Sequence, residues 1–124
     1  MYRLGITRDF IARHFLVGGD FGAENREHSH HYRVEVLVEG ERLNEHGYLI
    51  DILALEEALL AVIDGYRDRV LNELEPFADL NPSLEHFARI LWEALAGRLG
   101  PREYRLNIRL WENDRDWAGF SEAK

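Results

Sequence analysis

The chain has 124 residues, 46% hydrophobic and 31% charged, with a net charge of −8, the profile of a soluble protein forming a single domain over residues 1–124. Its basic residues are scattered, which excludes the basic footprint of a nucleic-acid binder, but fourteen of the fifteen are arginine, with Lys124 the only lysine, so an anionic substrate would meet guanidinium groups. No cysteine is present, which removes disulfides, thiolate metal sites and cysteine nucleophiles, while the absence of any signal core or bilayer-length apolar stretch predicts a cytoplasmic protein without a membrane partner.

Residues 2–16 read as a first strand, with Phe10, Ala12 and His14 on one face and Ile11, Arg13 and Phe15 on the other. Residues 17–26 carry three glycines and are longer than a tight hairpin requires, the kind of loop that often bears function. A second strand over 27–39 ends at Gly40. Strand alternation sets His28, His30, Tyr32, Val34, Val36 and Val38 on one face, while His31 has the opposite parity. After a polar connection, Asp51 is a good N-cap for a helix that carries Leu55, Leu59, Val62, Ile63 and Tyr66 at helical spacing. Residues 66–80 look irregular. A second helix starts at Asn81-Pro82-Ser83, capped by Asn81 or Ser83, with Leu84, Phe87, Ala88, Leu91 and Leu95 as its buried stripe and Gly97 or Gly100 as its end. Tyr104, Leu106, Ile108 and Leu110 alternate with polar neighbours in a third strand that ends at Glu112, and a short fourth strand surrounds residues 117–120. The order strand, strand, helix, helix, strand, strand predicts an α+β fold, a four-stranded antiparallel sheet with both helices on its apolar face. Such a sheet leaves its edges open, and oligomers that join sheets into a barrel would cover them.

Two histidines continuing the valine face have no packing purpose there, whereas metal binding supplies one. If the first two strands pair across the loop, His14 joins His28 and His30, and three neutral imidazoles with an open fourth position describe a catalytic zinc site. His46, in a polar loop, and His86, on the second helix, stand apart.

Several stretches together carry a family resemblance. Phe10-Ile11-Ala12-Arg13-His14 resembles the opening motif of the 6-pyruvoyl-tetrahydropterin synthase and 6-carboxytetrahydropterin synthase family, and His28-Ser29-His30-His31-Tyr32 its zinc motif. Tyr48-Leu49-Ile50-Asp51, Asn81-Pro82-Ser83-Leu84-Glu85 and Leu110-Trp111-Glu112 are similar to its later landmarks, in the same order. The resemblance implies the tunnelling fold, trimers that form a barrel and pair into hexamers, and active sites between subunits. It also implies Zn2+ on His14, His28 and His30, a pterin ring anchored by Glu112, and substrate near Ser83. The implied substrate is 7,8-dihydroneopterin triphosphate or a related pterin, in a queuosine, folate or biopterin context.

The chain departs from the family in its proton-transfer machinery. The family base is a cysteine supported by an Asp-His pair. Counting four residues back from His28 gives Glu24, and some members with glutamate at that position cleave the side chain to 6-hydroxymethyl-dihydropterin; Glu27 is the rival. Where the Asp-His pair belongs, the chain has Arg67-Asp68-Arg69-Val70-Leu71-Asn72, so Asp68 matches one partner at most. Two functions follow: a zinc-dependent pterin lyase, or a catalytically silent homologue that binds pterin or metal.

Overall fold

The computed structural model describes residues 1–122; residues 123 and 124, the end of the expected domain, lie outside the described residues. Two long strands, β1 (Tyr2–His14) and β2 (His28–Gly40), pair along their whole length, and β3 (Arg105–Trp111) and β4 (Trp117–Ser121) extend the sheet in the order β1-β2-β3-β4. All three strand pairs are antiparallel. The connection from β2 to β3 carries helices α1 (Ile52–Ile63) and α2 (Leu84–Leu99), with α2 lying over β3 and β4 and α1 against α2 and β1. The α+β sheet-and-helix architecture expected from the sequence is the one observed.

Alternation decides which face the sheet buries. Phe10, Ala12 and His14 of β1 and Tyr32, Val34, Val36 and Val38 of β2 turn inward, while Arg3, Arg13, Arg33 and their neighbours stay in solvent. Asp51 caps α1 by accepting the Leu53 N–H at 2.9 Å, and Leu55, Leu59, Val62 and Ile63 fill its buried stripe. Ser83, rather than Asn81, caps α2 through the His86 N–H, and Gly100, with φ 72, ends it where a side chain would be strained.

Local patterning overran the structure in two places. The first strand stops at His14, two residues early, because Asn72 takes both the Phe15 N–H and C=O at 2.9 Å and Leu16 donates to the Glu24 carbonyl at 2.8 Å. Tyr66 is buried but lies beyond α1, in a turn that follows Ile63. The irregular stretch after it contains two single 3-10 turns, Leu71–Glu73 and Glu75–Phe77, whose Leu71 and Phe77 enter the core.

Aromatic rings form the part of the core beneath the histidines. Phe87 of α2 sits 5.2 to 5.9 Å, centroid to centroid, from Phe10, Tyr32, Tyr66 and Phe77. Tyr32 in turn touches the His30 ring at 5.6 Å. Phe87 is fully buried at 0% exposure, so Phe87→Ala should cost about 3–5 kcal/mol through lost contact and a residual cavity. Urea unfolding with an unchanged m-value checks this; a loss under about 1 kcal/mol would show that the cluster is not a keystone of the core.

Candidate metal centre

The β1–β2 register pairs His14 with His28 and Ala12 with His30. Because alternate residues share a face, the His14 side chain stands directly across from His28 and diagonally from His30. The three rings form a near-equilateral group, with centroids 4.6, 4.9 and 5.0 Å apart. Imidazoles rarely crowd like this without a shared partner.

Backbone carbonyls orient two of the rings. A carbonyl can only accept, so the 2.9 Å contact of His14 Nδ1 with Pro82 O and the 2.7 Å contact of His28 Nδ1 with Arg26 O place the protons on Nδ1. In the neutral rings this leaves Nε2 as a lone-pair donor. The Nε2 atoms of His14, His28 and His30 are all buried, and none has a hydrogen-bond partner among the described residues. Orphaned polar atoms are costly inside a protein. Three of them aimed at one point are what a metal ion would satisfy.

Charge state agrees with that geometry. Burial lowers the His14 pKa to about 4, with the neighbouring His28 and His30 adding to the effect and the Pro82 hydrogen bond opposing it. His14 is therefore neutral and ready to ligate near pH 7. Burial also raises Tyr32 well above the usual phenol range, with Glu112 and Glu24 contributing.

Glu24 belongs to the group. One carboxylate oxygen and the three imidazole nitrogens all lie within 4.8 Å of one another, a set that could hold a metal ion. It reaches them from the single 3-10 turn Gly22–Asn25 in the loop between β1 and β2. Asn25 ties that loop together, donating to the Leu16 and Gly19 carbonyls and accepting the Phe21 N–H at 2.7 Å. Glu27 points elsewhere: its carboxylate lies 3.4 Å from Arg13, which belongs to the opposite face of the sheet.

The other candidate residues sit around this cluster. Glu112, just past β3, brings Oε2 to 3.8 Å from His30 Nε2, and burial raises its pKa against the opposing pull of His30. Ser83 uses its hydroxyl as the α2 cap, one residue from the carbonyl that holds His14. Asp68 is not among the four donors; it is exposed, with φ 61, and its N–H bonds Ile11 O at 2.7 Å on the outer edge of β1. His31 pairs with Asp9 at 3.2 Å on the far face. Sequence reading missed the supporting residues Asn25, Asn72, Asn81 and Pro82. The asparagines lie in irregular segments, where polar side chains that bond backbone are the usual signal, but a carbonyl such as that of Pro82 leaves no trace in sequence.

The sequence model of the 6-pyruvoyl tetrahydropterin synthase family matches residues 3–123. The chain belongs to that family. A Pyrococcus abyssi protein carrying the name 6-carboxy-5,6,7,8-tetrahydropterin synthase is 30% identical over 139 residues, covering 94% of this chain and 87% of its own. The 6-carboxy-5,6,7,8-tetrahydropterin synthase of Bacillus subtilis is 28% identical over 108 residues, covering 82% and 72%. Among solved structures, Caenorhabditis elegans 6-pyruvoyl tetrahydropterin synthase matches with a TM-score of 0.87 at 20% identity, covering 98% of this chain and 96% of that one. A Plasmodium vivax 6-pyruvoyltetrahydropterin synthase, in a form with a catalytic glutamate changed to alanine, gives 0.81 at 16% identity, covering 98% and 97%. These likenesses establish the tunnelling fold of the family.

The lowered His14 pKa makes a prediction about the metal-free protein. Between pH 6.5 and about 4 the unfolded chain takes up a proton on His14 that the folded chain refuses, so this residue withdraws stability as the pH falls through that window. Thermal unfolding in chelator should therefore decline less steeply from pH 6.5 to 4 in His14→Gln than in the wild type. Parallel profiles would contradict the assignment.

Proposed function

We propose that this chain, as one domain, is a zinc-dependent lyase acting on 7,8-dihydroneopterin triphosphate or a closely related pterin. The observation that carries the proposal is the convergence of three orphaned Nε2 atoms and the Glu24 carboxylate at one point. Imidazole donors suit zinc, two of these three have their tautomer set by a backbone carbonyl, and three histidine ligands describe a catalytic rather than a structural site. When bound, the ion supplies Lewis acidity, which makes hydroxyls on the pterin side chain easier to deprotonate.

The remaining work falls to the chain's own side chains. The Glu112 carboxylate has two oxygens that can accept from the 2-amino and N3–H groups of a pterin ring, which would set the side chain toward the histidines. Glu24 stands beside that position and is the candidate base; the Plasmodium vivax relative is described as having a catalytic glutamate. In side-chain cleavage, Glu24 would take the proton of the second side-chain hydroxyl, and the bond between the two hydroxyl-bearing carbons would break. The outer carbon would leave as an aldehyde carrying the triphosphate, and the carbon left on the ring would take the proton back from Glu24. The product retaining the ring would be 6-hydroxymethyl-dihydropterin. Ser83, beside the segment that holds His14, would line the substrate.

Oligomerisation would complete the site. Most of the outer edge of β1 and the outer edge of β4 lack strand partners among the described residues, and Tyr2, Leu43, Tyr48, Ile52 and Leu53 are exposed around one end of β1. Trimers that join these edges into a barrel, alone or paired as hexamers, would bury both. Asp68, on the β1 edge, would then serve proton transfer at a boundary between subunits. Among the described residues no helix is long and apolar enough to cross a membrane, which is compatible with the cytoplasmic placement proposed here.

The zinc-loaded protein should convert 7,8-dihydroneopterin triphosphate to a new pterin, resolved by chromatography. Glu24→Gln at saturating zinc should lower kcat by about 10²–10⁴, the usual contribution of a general base. Glu112→Gln should act mainly on KM. Absence of any new pterin from the zinc-loaded wild type would overturn the lyase proposal in favour of a silent binding homologue.

A further inference from the structure

We propose that Glu24 is itself a metal ligand, the fourth donor of a closed resting site, and that a substrate hydroxyl competes with it for that position. This rests on the metal reading above and extends it, because a base waiting in solvent and a ligand make different physical demands on the same carboxylate.

The first observation is distance. Glu24 Oε1 lies 3.4 Å from His28 Nε2. That is longer than a good N–H···O hydrogen bond, and His28 Nε2 is without a hydrogen-bond partner. It matches the ~3.3 Å edge of a tetrahedron whose ligands stand about 2.0–2.1 Å from a central zinc.

The second is lone-pair direction. The His28 proton is on Nδ1, committed to the Arg26 carbonyl, so in the neutral ring Nε2 turns a lone pair toward a carboxylate oxygen. Two acceptors held face to face repel each other. A cation shared with His14 and His30 turns that contact favourable. The shared cation also satisfies the other two orphaned nitrogens.

The third is support and freedom. The loop that carries Glu24 is fixed at its backbone: the Glu24 carbonyl accepts from Leu16 N at 2.8 Å, and the next residue, Asn25, makes three hydrogen bonds within the loop. The Glu24 side chain remains 52% exposed, against 25% for His28. Its root is anchored and its carboxylate has room to swing away. Glu112 lacks this relation: its nearest oxygen is 3.8 Å from His30 Nε2, and it is not one of the four converging donors. A carboxylate that ligates at rest and is released when a hydroxyl takes its place would be delivered as a base beside the proton it must remove.

The test uses the full-length protein loaded with zinc or cobalt(II). In competition with a chromophoric chelator, Glu24→Gln should weaken zinc binding by about 10–100-fold, and Asn25→Ala, which keeps the carboxylate but loosens its loop, should fall between variant and wild type. Added azide should alter the visible spectrum of the cobalt(II) form of Glu24→Gln while leaving the wild type unchanged, since only the variant has a vacant position. Unchanged zinc affinity together with equal azide responses would overturn the ligand assignment. Activity separates this from the base proposal. Loss of turnover at saturating zinc with unaltered affinity would keep Glu24 as base and reject it as ligand, and weakened affinity with full turnover at saturating zinc would do the reverse.

Discussion

His14 pairs with His28 across the β1–β2 ladder, and the site depends on that register. Side chains alternate along a strand, so a slip of one residue would send His14 to the solvent face, or His28 and His30 away from it. The register is held along thirteen-residue strands, whose buried side hosts Phe10, Ala12, Tyr32, Val34, Val36 and Val38. Any slip would expose that whole apolar set. The candidate metal site inherits its precision from a hydrophobic surface built for another purpose.

Around the ladder, irregular segments supply what strands cannot. The Asn72 side chain holds Phe15 where β1 ends, Asn81 accepts the Val17 N–H at 2.8 Å, and the Pro82 carbonyl turns His14. The stretch before α2 therefore serves two elements: it begins the helix and fixes the ligand end of the strand. Desolvation is the other half of the design. The burial that makes Tyr32 and Phe87 good core residues also keeps His14 neutral, so packing and ligand chemistry favour the same arrangement.

Much of this was legible in the sequence where a periodic pattern operates. The valine face of β2 and the parity of His28 and His30 follow from a period of two, and the stripes of α1 and α2 from helical spacing. Legibility failed where tertiary contacts overrode a continuing pattern. Phe15 and Leu16 look like strand, yet Asn72 and Glu24 claim their backbone groups. Tyr66 continues the helical spacing, yet the chain has already turned after Ile63. By sequence Asn81 comes first as the α2 cap and Ser83 is its alternative, and Ser83 takes the role because Asn81 is engaged with Val17 and, through its carbonyl, with His86. Only counting back from His28 ranks Glu24 above Glu27 in the sequence, because parity has no meaning in a loop; the folded loop sets Glu24 beside the histidines and Glu27 beside Arg13.

The central claim is that His14, His28 and His30 form one metal seat. Metal content of protein dialysed against zinc tests it most directly, compared between the wild type and His14→Ala, His28→Ala and His30→Ala variants that retain the wild-type circular dichroism. The account predicts about one ion per chain in the wild type and well under about a tenth of that in each variant, since a site with three imidazole ligands does not survive the loss of one. Stoichiometric zinc retained by the folded His14→Ala protein, or a wild type that binds none, would contradict it.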